Sequence, residues 1–441
     1  MKDLTTGHEG KSILLFTLPM LIGALFQQLY NTADSIIVGQ FIGKEAMAAV
    51  SGANPIMFLL TSFLTGITLG FSILVSQYYG SKNMDKVRKT IDTTYIFVFI
   101  ASILITVLGI FLCVPILKLM NTPQDLIQSS KIYLIIIFAG TIFSAGYNSI
   151  SAILRGVGDS KNPLYFLIIS TILNIILDIV FIIYLNIGIA GAALATIIAQ
   201  GASFIFSIIY LNKKHKVINI RIKEIQFNNH IFKKGLKLGI PSAIQQMLFS
   251  FGNITLQSLV NSYGASAMAA FGAGLKIESF ISLPIINLGA AISTFVAQNK
   301  GAKKFDRIKN GLKYSVYMSI VMAISVAILF NLFAKELVMM FNSDNEVLQI
   351  GSRYLNTIGP FFIFICISFM LTSAIKGAGN AIFPLISSMV SLWLARLPGA
   401  YFFSNLLGVD GIWIGIPVGW IIGFIITLIY YRKANWNKEI I

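Results

Sequence analysis

Long apolar runs separated by short polar segments dominate the pattern of hydrophobic and polar positions along the chain. A transmembrane helix needs about 20 predominantly apolar residues. Twelve runs of this kind lie roughly at 12–38, 47–77, 90–117, 130–153, 161–185, 189–211, 236–262, 268–298, 311–333, 350–374, 382–406 and 410–431. They lack the period-two alternation of β-barrel strands, so the pattern predicts an all-α integral membrane protein with twelve transmembrane helices. The first run is too long for the hydrophobic region of a signal peptide, and we expect it to remain in the mature protein.

The sequence repeats itself at an offset of 221 residues. Three segments and their later copies share small residues, prolines or charges: 46–49 with 267–270, 77–86 with 298–307, and 155–163 with 376–384. Several matches at one offset indicate a duplication. Because each half contains an even number of helices, both halves insert in the same orientation. We therefore predict two homologous six-helix bundles around a central cleft, which is the architecture of alternating-access transporters.

A long polar stretch follows the sixth run and separates the two halves. It predicts an N-terminal bundle at 1–211, a cytoplasmic linker at 212–235 and a C-terminal bundle at 236–441. The first helix of each half contains a proline at a matching place, Pro19 and Pro241. Proline removes a backbone hydrogen bond and can bend a helix, so both are candidate hinges. Alternatively, they reflect the general frequency of proline in membrane helices.

Composition and charge agree with a membrane protein. Of the 441 residues, 56% are hydrophobic and 11% are charged, whereas soluble domains are about 25% charged. The net charge of +16 would suggest nucleic-acid binding in a soluble protein. However, 26 of the 33 basic residues fall in loops on one side of the predicted helices and five on the other. This asymmetry predicts that both termini are cytoplasmic, and it explains the charge without nucleic acid.

Ionisable groups within apolar helices are costly and are functional candidates by default. Asp34 and Asp178 lie about 15 Å and 12 Å from the outer boundary at 1.5 Å per residue, and Thr196 lies at a similar depth. Asn174 shares a helix face with Asp178 because four residues separate them. These oxygen-bearing groups could form a cage for Na⁺, held chiefly by the two aspartates, or the carboxylates could carry protons. Alternatively, each aspartate only accepts hydrogen bonds from a neighbouring helix.

The C-terminal half contains two further intramembrane charges, Glu278 and Arg396. They could form a structural ion pair inside that bundle. Alternatively, Glu278 faces the cleft and forms part of a second coupling or substrate site.

Polar and aromatic residues on three of the predicted helices are candidates for lining a substrate cleft. They are Gln27, Gln28, Tyr30, Asn31, Tyr147, Asn148, Gln245, Gln246, Asn253 and Gln257. Such groups suit weakly specific binding of amphipathic ligands. Some of them are equally suited to hydrogen bonds between packed helices.

The sequence shows no catalytic constellation, and we expect no enzyme activity and no cofactor. The Walker pattern G-x-x-x-x-G-K-[ST] is absent from the sequence, and no histidine lies within a predicted span. This argues against an ATP-binding loop in the chain and against an intramembrane zinc enzyme.

The order of these motifs resembles the multidrug and toxic compound extrusion (MATE) transporters over nearly the whole chain. The resemblance rests on 27–34 (QQLYNTAD), 43–50 (GKEAMAAV) and 154–159 (LRGVGD) followed by Pro163. It implies the prokaryotic branch whose cation site lies in the N-terminal bundle, with Asp34, Asn174, Asp178 and Thr196 matching the positions of that site. The chain departs from the branch that places its carboxylates on the seventh and tenth helices, because those helices contain no acid here.

The resemblance implies an antiporter in a prokaryotic cell membrane. It would export organic cationic or amphipathic drugs against entry of Na⁺ or H⁺, and would work as a monomer in contact with membrane lipid. An alternative is a lipid-linked saccharide flippase of related fold. Such flippases have about fourteen helices and a cationic cleft, for which this chain offers only Lys276 and Arg396.

Overall fold

A computed structural model describes residues 3–120, 122–214, 218–219 and 224–433. Of the 26 basic residues counted on the predicted cytoplasmic side, five lie outside the described residues: Lys2, Lys216, Arg221, Lys223 and Lys438. Within the described part, the chain is almost entirely helical. The expected all-α class is therefore confirmed.

The first half of the chain forms six helical rods. Their elements are α1 (Glu9–Ile37) with a π-helical end (Val38–Ile42), α2 (Lys44–Gly80), α3 (Met84–Leu119), α4 (Gln124–Ala139) with α5 (Thr141–Gly156), α6 (Lys161–Asp178) with a π-helical end (Ile179–Tyr184), and α7 (Ile189–Lys214). The fourth rod, predicted as one span over 130–153, is a pair of helices that bends by 48° between α4 and α5.

The second half forms six more rods. Their elements are α8 (Asn229–Asn261), α9 (Ala265–Gly301), α10 (Phe305–Met339), α11 (Asn345–Ile358) continued through a 3-10 turn (Gly359–Phe361) into α12 (Phe362–Gly377), α13 (Ile382–Met389) with a π-helical segment (Val390–Arg396) and α14 (Leu397–Leu407), and α15 (Val409–Lys433). Within the described residues, ten helices are long and apolar enough to cross a membrane, or eleven if the bent pair is one span. The remaining rod, α8, has 33 residues.

Backbone conformation repeats at the same offset as the sequence. Gly43 and its counterpart Gly264 have φ values of 110° and 95°, which L side chains rarely adopt. Each glycine directly precedes the second long helix of its half. Lys82 and its counterpart Lys303 both take left-handed φ values, 58° and 57°. The same turns therefore connect equivalent helices in the two halves.

Packing divides the chain into two compact units that do not coincide with the order of the sequence. The first unit contains Leu18–Ala243, and the second contains Leu4–Thr17 together with the chain from Ile244 onward. The start of α1 thus belongs to the second unit, and the start of α8 belongs to the first. The domain boundaries predicted from the sequence follow the repeat and remain a prediction.

Small residues allow close helix packing inside the first unit. A Cβ atom on Gly66 would lie 2.4 Å from Ala243 Cα, and one on Gly70 would lie 2.4 Å from Gly239 N. The spacing of four residues on both helices is the small-xxx-small pattern by which membrane helices approach closely. The start of α8 is therefore fixed against α2.

Candidate ion-coupling site

Three helices of the first unit bring the four predicted coupling residues together. Helix α1 carries Asp34, α6 carries Asn174 and Asp178, and α7 carries Thr196. Asn174 and Asp178 are fully buried, and Thr196 is 9% exposed. Burial of an amide and a carboxylate with no exposed surface requires partners within the protein.

Hydrogen bonds connect α6 to α7 and α7 to α1. With its amide oriented to satisfy both neighbours, Asn174 donates to Asp178 Oδ2 at 2.9 Å and accepts from the Thr196 backbone N–H at 3.3 Å. The Tyr30 hydroxyl donates to Thr196 Oγ1 at 3.2 Å. Tyr30, predicted above to line a cleft, therefore contacts the coupling cluster.

The two carboxylates each retain an unsatisfied oxygen. Asp34 Oδ1 and Asp178 Oδ1 are buried and have no hydrogen-bond partner among the described residues. The two side chains also act on each other electrostatically. Two like charges that each lack a counterpart disfavour joint ionisation without a cation. This arrangement is suited to holding a monovalent cation or to exchanging a proton.

The side chains of the cluster suit a monovalent cation or a proton. Among the described residues there is no group of three or more histidine, cysteine or acidic side chains. The cluster instead offers two carboxylates, the hydroxyl of Thr196 and the phenol of Tyr30. All of these supply hard oxygen atoms, whereas sites for zinc and other transition metals use imidazole or thiolate.

π-Helical turns lie beside the intramembrane charges. In α1 the helix becomes π-helical four residues after Asp34, and in α6 it does so immediately after Asp178. The third π-helical segment among the described residues ends at Arg396. Such segments are often found at functional sites because they leave the regular backbone hydrogen-bond pattern.

Sequence reasoning missed one residue of the cluster, Tyr133. It is 7% exposed on α4, and its phenol lies within electrostatic range of Asp34, Tyr30 and Asp178. A tyrosine in an apolar run is unremarkable by itself. The signal that could have found it is the repeat, because Tyr133 and Tyr354 are separated by the duplication offset and each is followed by leucine.

The second unit builds a different cluster around Tyr354. Its hydroxyl donates to Glu278 Oε1, and its ring packs against Trp413 with centroids 4.7 Å apart. Arg396 acts electrostatically on both Glu278 and Tyr354, and its buried Nε has no hydrogen-bond partner in the described part of the chain. Glu278 and Arg396 are thus close enough to compensate each other, with Tyr354 as the direct partner of the acid.

The predicted cleft residues differ in exposure and in the contacts that they make within their own unit. Four are exposed: Gln27, Asn31, Asn148 and Asn253. Gln28 and Gln246 are half-buried. Three others make contacts inside a unit: Tyr147 donates to Pro163 O, Gln245 donates to Ser388 Oγ and accepts from Lys376, and Gln257 donates to Asn261. Their role as substrate ligands stays a prediction.

The predicted hinge prolines lie inside continuous helices. Pro19 is buried in α1 and Pro241 is half-buried in α8. Both stand within three residues of the point where their helix passes from one compact unit to the other.

Comparisons with known proteins show the family of this chain. A family model described as MatE matches twice, over residues 19–180 and 241–402. The chain belongs to the MatE family. The two matches also confirm the duplication, and membership in this family of membrane transporters confirms a multi-pass transporter.

Relatives and solved structures agree with this assignment. The probable multidrug resistance protein YoeA of Bacillus subtilis is 32% identical, with 97% of this chain and 94% of that protein covered. A protein named FAD transporter from Shewanella oneidensis is 26% identical, over 95% of this chain and 94% of its own length. The outward-facing structure of a multidrug resistance MATE family transporter matches with a TM-score of 0.92 at 24% identity, covering 98% of both chains. The match confirms the expected fold of twelve helices in two bundles.

Proposed function

We propose that this MatE protein is a cation-coupled antiporter that exports organic, cationic or amphipathic compounds by alternating access. The observation that carries the proposal is the pair formed by the half-buried Asp34 and the fully buried Asp178, each with a buried carboxylate oxygen that has no hydrogen-bond partner among the described residues. A transporter that uses an ion gradient needs an intramembrane site whose charge changes on ion binding. Multidrug resistance names among its relatives support the export of drugs.

In this proposal the cation, Na⁺ or H⁺, binds between Asp34 and Asp178. Binding removes their repulsion and favours a closer approach of α1 to α6. Since Asn174 and Thr196 already bond to each other and to their neighbours, α1 is the element that adjusts. A bend at Pro19 would then carry Tyr30 and Asp34 together and lower the affinity for substrate.

Exposed amides are the proposed substrate contacts on the first helix of each half. Gln27 and Asn31 on α1 and Asn253 on α8 are exposed, and amides bind varied ligands without a fixed charge requirement. The charge-compensated pair Glu278 and Arg396 is proposed as a secondary substrate contact or a structural element, because its charges already balance.

Transport in proteoliposomes tests the proposal. Purified protein would be reconstituted, and movement of ethidium, as a cationic probe, would be followed under an imposed Na⁺ gradient and, separately, a proton gradient. One gradient should accelerate ethidium movement against its own gradient, and the other should not. FAD in place of ethidium tests an anionic nucleotide substrate. Movement of neither compound under either gradient would contradict coupled antiport.

A substitution at Pro19 tests the bending step. Pro19→Ala restores the missing backbone hydrogen bond, so we expect ion binding to persist while gradient-driven ethidium movement slows. Pro55→Ala, which changes a proline inside α2, is the matched control. An unchanged coupling ratio in Pro19→Ala would count against the hinge.

A further inference from the structure

The N-terminal segment before α1 is held on the second unit by one arginine of α10. Arg307 Nη1 donates to Gly7 O at 2.7 Å and to Glu9 Oε1 at 3.2 Å. Its Nη2 donates to Thr6 O at 3.2 Å and Leu4 O at 3.4 Å. One guanidinium thus collects three backbone carbonyls and a carboxylate, which its planar fork of donors permits and an ammonium group does not.

Neighbouring side chains complete this attachment. Asn299, fully buried, donates to Leu4 O at 3.1 Å and accepts from Arg307 Nε at 3.1 Å. Gln298 accepts from the Leu4 backbone N–H, and Lys304 donates to Thr5 O at 2.8 Å. Leu4 itself is fully buried. The segment is therefore packed and hydrogen-bonded, and the ion pair of Arg307 with Glu9 is only 19% and 17% exposed.

The same device occurs in the other half with different residues. On α3, the repeat counterpart of α10, Arg88 donates to Asn219 O at 2.5 Å and Asn219 Oδ1 at 2.8 Å. Thr93 Oγ1 accepts from the Asn228 backbone N–H at 3.1 Å. The segment preceding α8 thus attaches to the first unit, as the segment preceding α1 attaches to the second. Each half holds the beginning of the other half's first helix.

The attached residues lead into the beginning of α1, before Pro19, so their attachment affects how a bend at Pro19 moves the helix. Residues up to Thr17 belong to the second unit, and Leu18 onward belongs to the first. Pro19, at this passage, removes a backbone hydrogen bond and makes the helix easiest to bend. A bend transmits movement to Tyr30 and Asp34 only if the other end of the helix is fixed. With the beginning of α1 released, the same bend would displace that free end instead.

We propose that Arg307 is a positioning residue for transport, which fixes the beginning of α1 on the second unit so that bending at Pro19 moves the ion-binding part of the helix. The inference rests on the proposed antiport. Arg307 acts through the position of α1 and does not touch ion or substrate in this proposal.

Two measurements on Arg307→Gln test this role. Hydrogen–deuterium exchange of the full-length protein reports on the backbone of residues 9–17, and ethidium movement in proteoliposomes under the driving gradient reports on transport. We expect exchange in this segment to accelerate at least tenfold and gradient-driven transport to fall by a similar factor. Equilibrium ethidium affinity should stay within twofold, which verifies an intact fold. Arg307→Lys, which keeps the charge but not the fork, should give intermediate values in both measurements.

Lys309→Gln provides the matched control, because Lys309 is exposed two residues further along the same helix; it should leave both measurements at the wild-type level. Wild-type exchange in Arg307→Gln would overturn the attachment. Accelerated exchange with undiminished transport would overturn the positioning role and leave a structural contact. Absence of gradient-driven transport in the wild type would overturn the proposed function and the positioning role together, which separates that failure from the other two.

Discussion

The two compact units place polar clusters around equivalent tyrosines, and the clusters differ in charge. Around Tyr133 the first unit gathers Asp34 and Asp178, and no base among the described residues acts on this cluster electrostatically. Around Tyr354 the second unit gathers Glu278 and Arg396. One homologous frame therefore carries an uncompensated pair of acids in one copy and a balanced acid and base in the other.

This difference indicates how a duplicated transporter can divide its tasks. An intramembrane acid without a basic partner is costly unless a cation or proton arrives, which is why the first cluster is the one proposed to respond to ions. An acid with a base nearby is satisfied by the protein itself, so the second cluster is independent of ions. The comparison predicts opposite responses when an acid is neutralised in the two units.

Neutralising Glu278 should have the largest effect on stability. Glu278→Gln leaves the half-buried Arg396 guanidinium without its nearby counter-charge and weakens the hydrogen bond from Tyr354, which we expect to cost about 3 kcal/mol. We expect a clearly lower thermal unfolding midpoint in detergent, with the ion dependence of any residual transport unchanged. The double variant Glu278→Gln with Arg396→Gln should recover most of the loss, since no charge is then left unpaired. A double variant as unstable as the single one would show that the two charges do not compensate each other.

Neutralising Asp178 should affect ion binding and spare stability. Asp178→Asn removes a charged ligand worth about 2–3 kcal/mol, so ion affinity should fall roughly 30- to 150-fold. Because the change also removes repulsion with Asp34, the unfolding midpoint should be equal to that of the wild type or higher. Ion titrations of gradient-driven ethidium movement measure the first effect, and thermal unfolding measures the second.

Asp85→Asn is the control for this change. Asp85 pairs with Lys89 on the surface, where its side chain is 71% exposed, and such pairs contribute little. If Asp85→Asn lost as much ion affinity as Asp178→Asn, the loss would not be specific to the acids of the ion cluster.

Much of this arrangement could be predicted from the sequence because membranes impose strict patterns. Apolar runs of sufficient length predicted the rods, and the repeat predicted two bundles. Asp34 and Asp178 were conspicuous because acids are rare in such runs. The spacing of four residues placed Asn174 beside Asp178, and the structure joins them by a hydrogen bond.

What escaped prediction depends on contacts between distant segments. Tyr133 and Tyr354 resemble many other aromatic residues in apolar runs, and only their burial beside charges distinguishes them. Tyr30 was predicted only as a possible cleft residue, and its hydrogen bond to Thr196 in the ion cluster is visible only in the structure. The attachment of residues 4–9 to Arg307 joins segments about 300 residues apart, and no local pattern encodes it.

The equivalent tyrosines offer a paired comparison with a smaller effect. Tyr354→Phe removes the donor to Glu278, a hydrogen bond to a charged group worth about 1.5–3 kcal/mol, so stability should fall while ion dependence stays constant. Tyr133→Phe removes a phenol that lies within electrostatic range of both aspartates, and we expect a shift of about threefold in ion affinity with little change in stability. Thermal unfolding and ion titration of both variants decide the comparison. Interchanged outcomes would mean that the first cluster is structural and the second responds to ions.

The smallest expected effect concerns the neutral member of the ion cluster. Thr196→Val keeps the shape of the side chain but removes the hydroxyl that accepts from Tyr30. A neutral hydrogen bond contributes about 1 kcal/mol, so ion affinity should fall roughly fivefold. Thr196→Ser retains the hydroxyl and should bind ions as the wild type does. If the Thr196→Val and Thr196→Ser variants bind ions equally well, the Thr196 hydroxyl only connects α7 to α1, and the carboxylates hold the ion without its help.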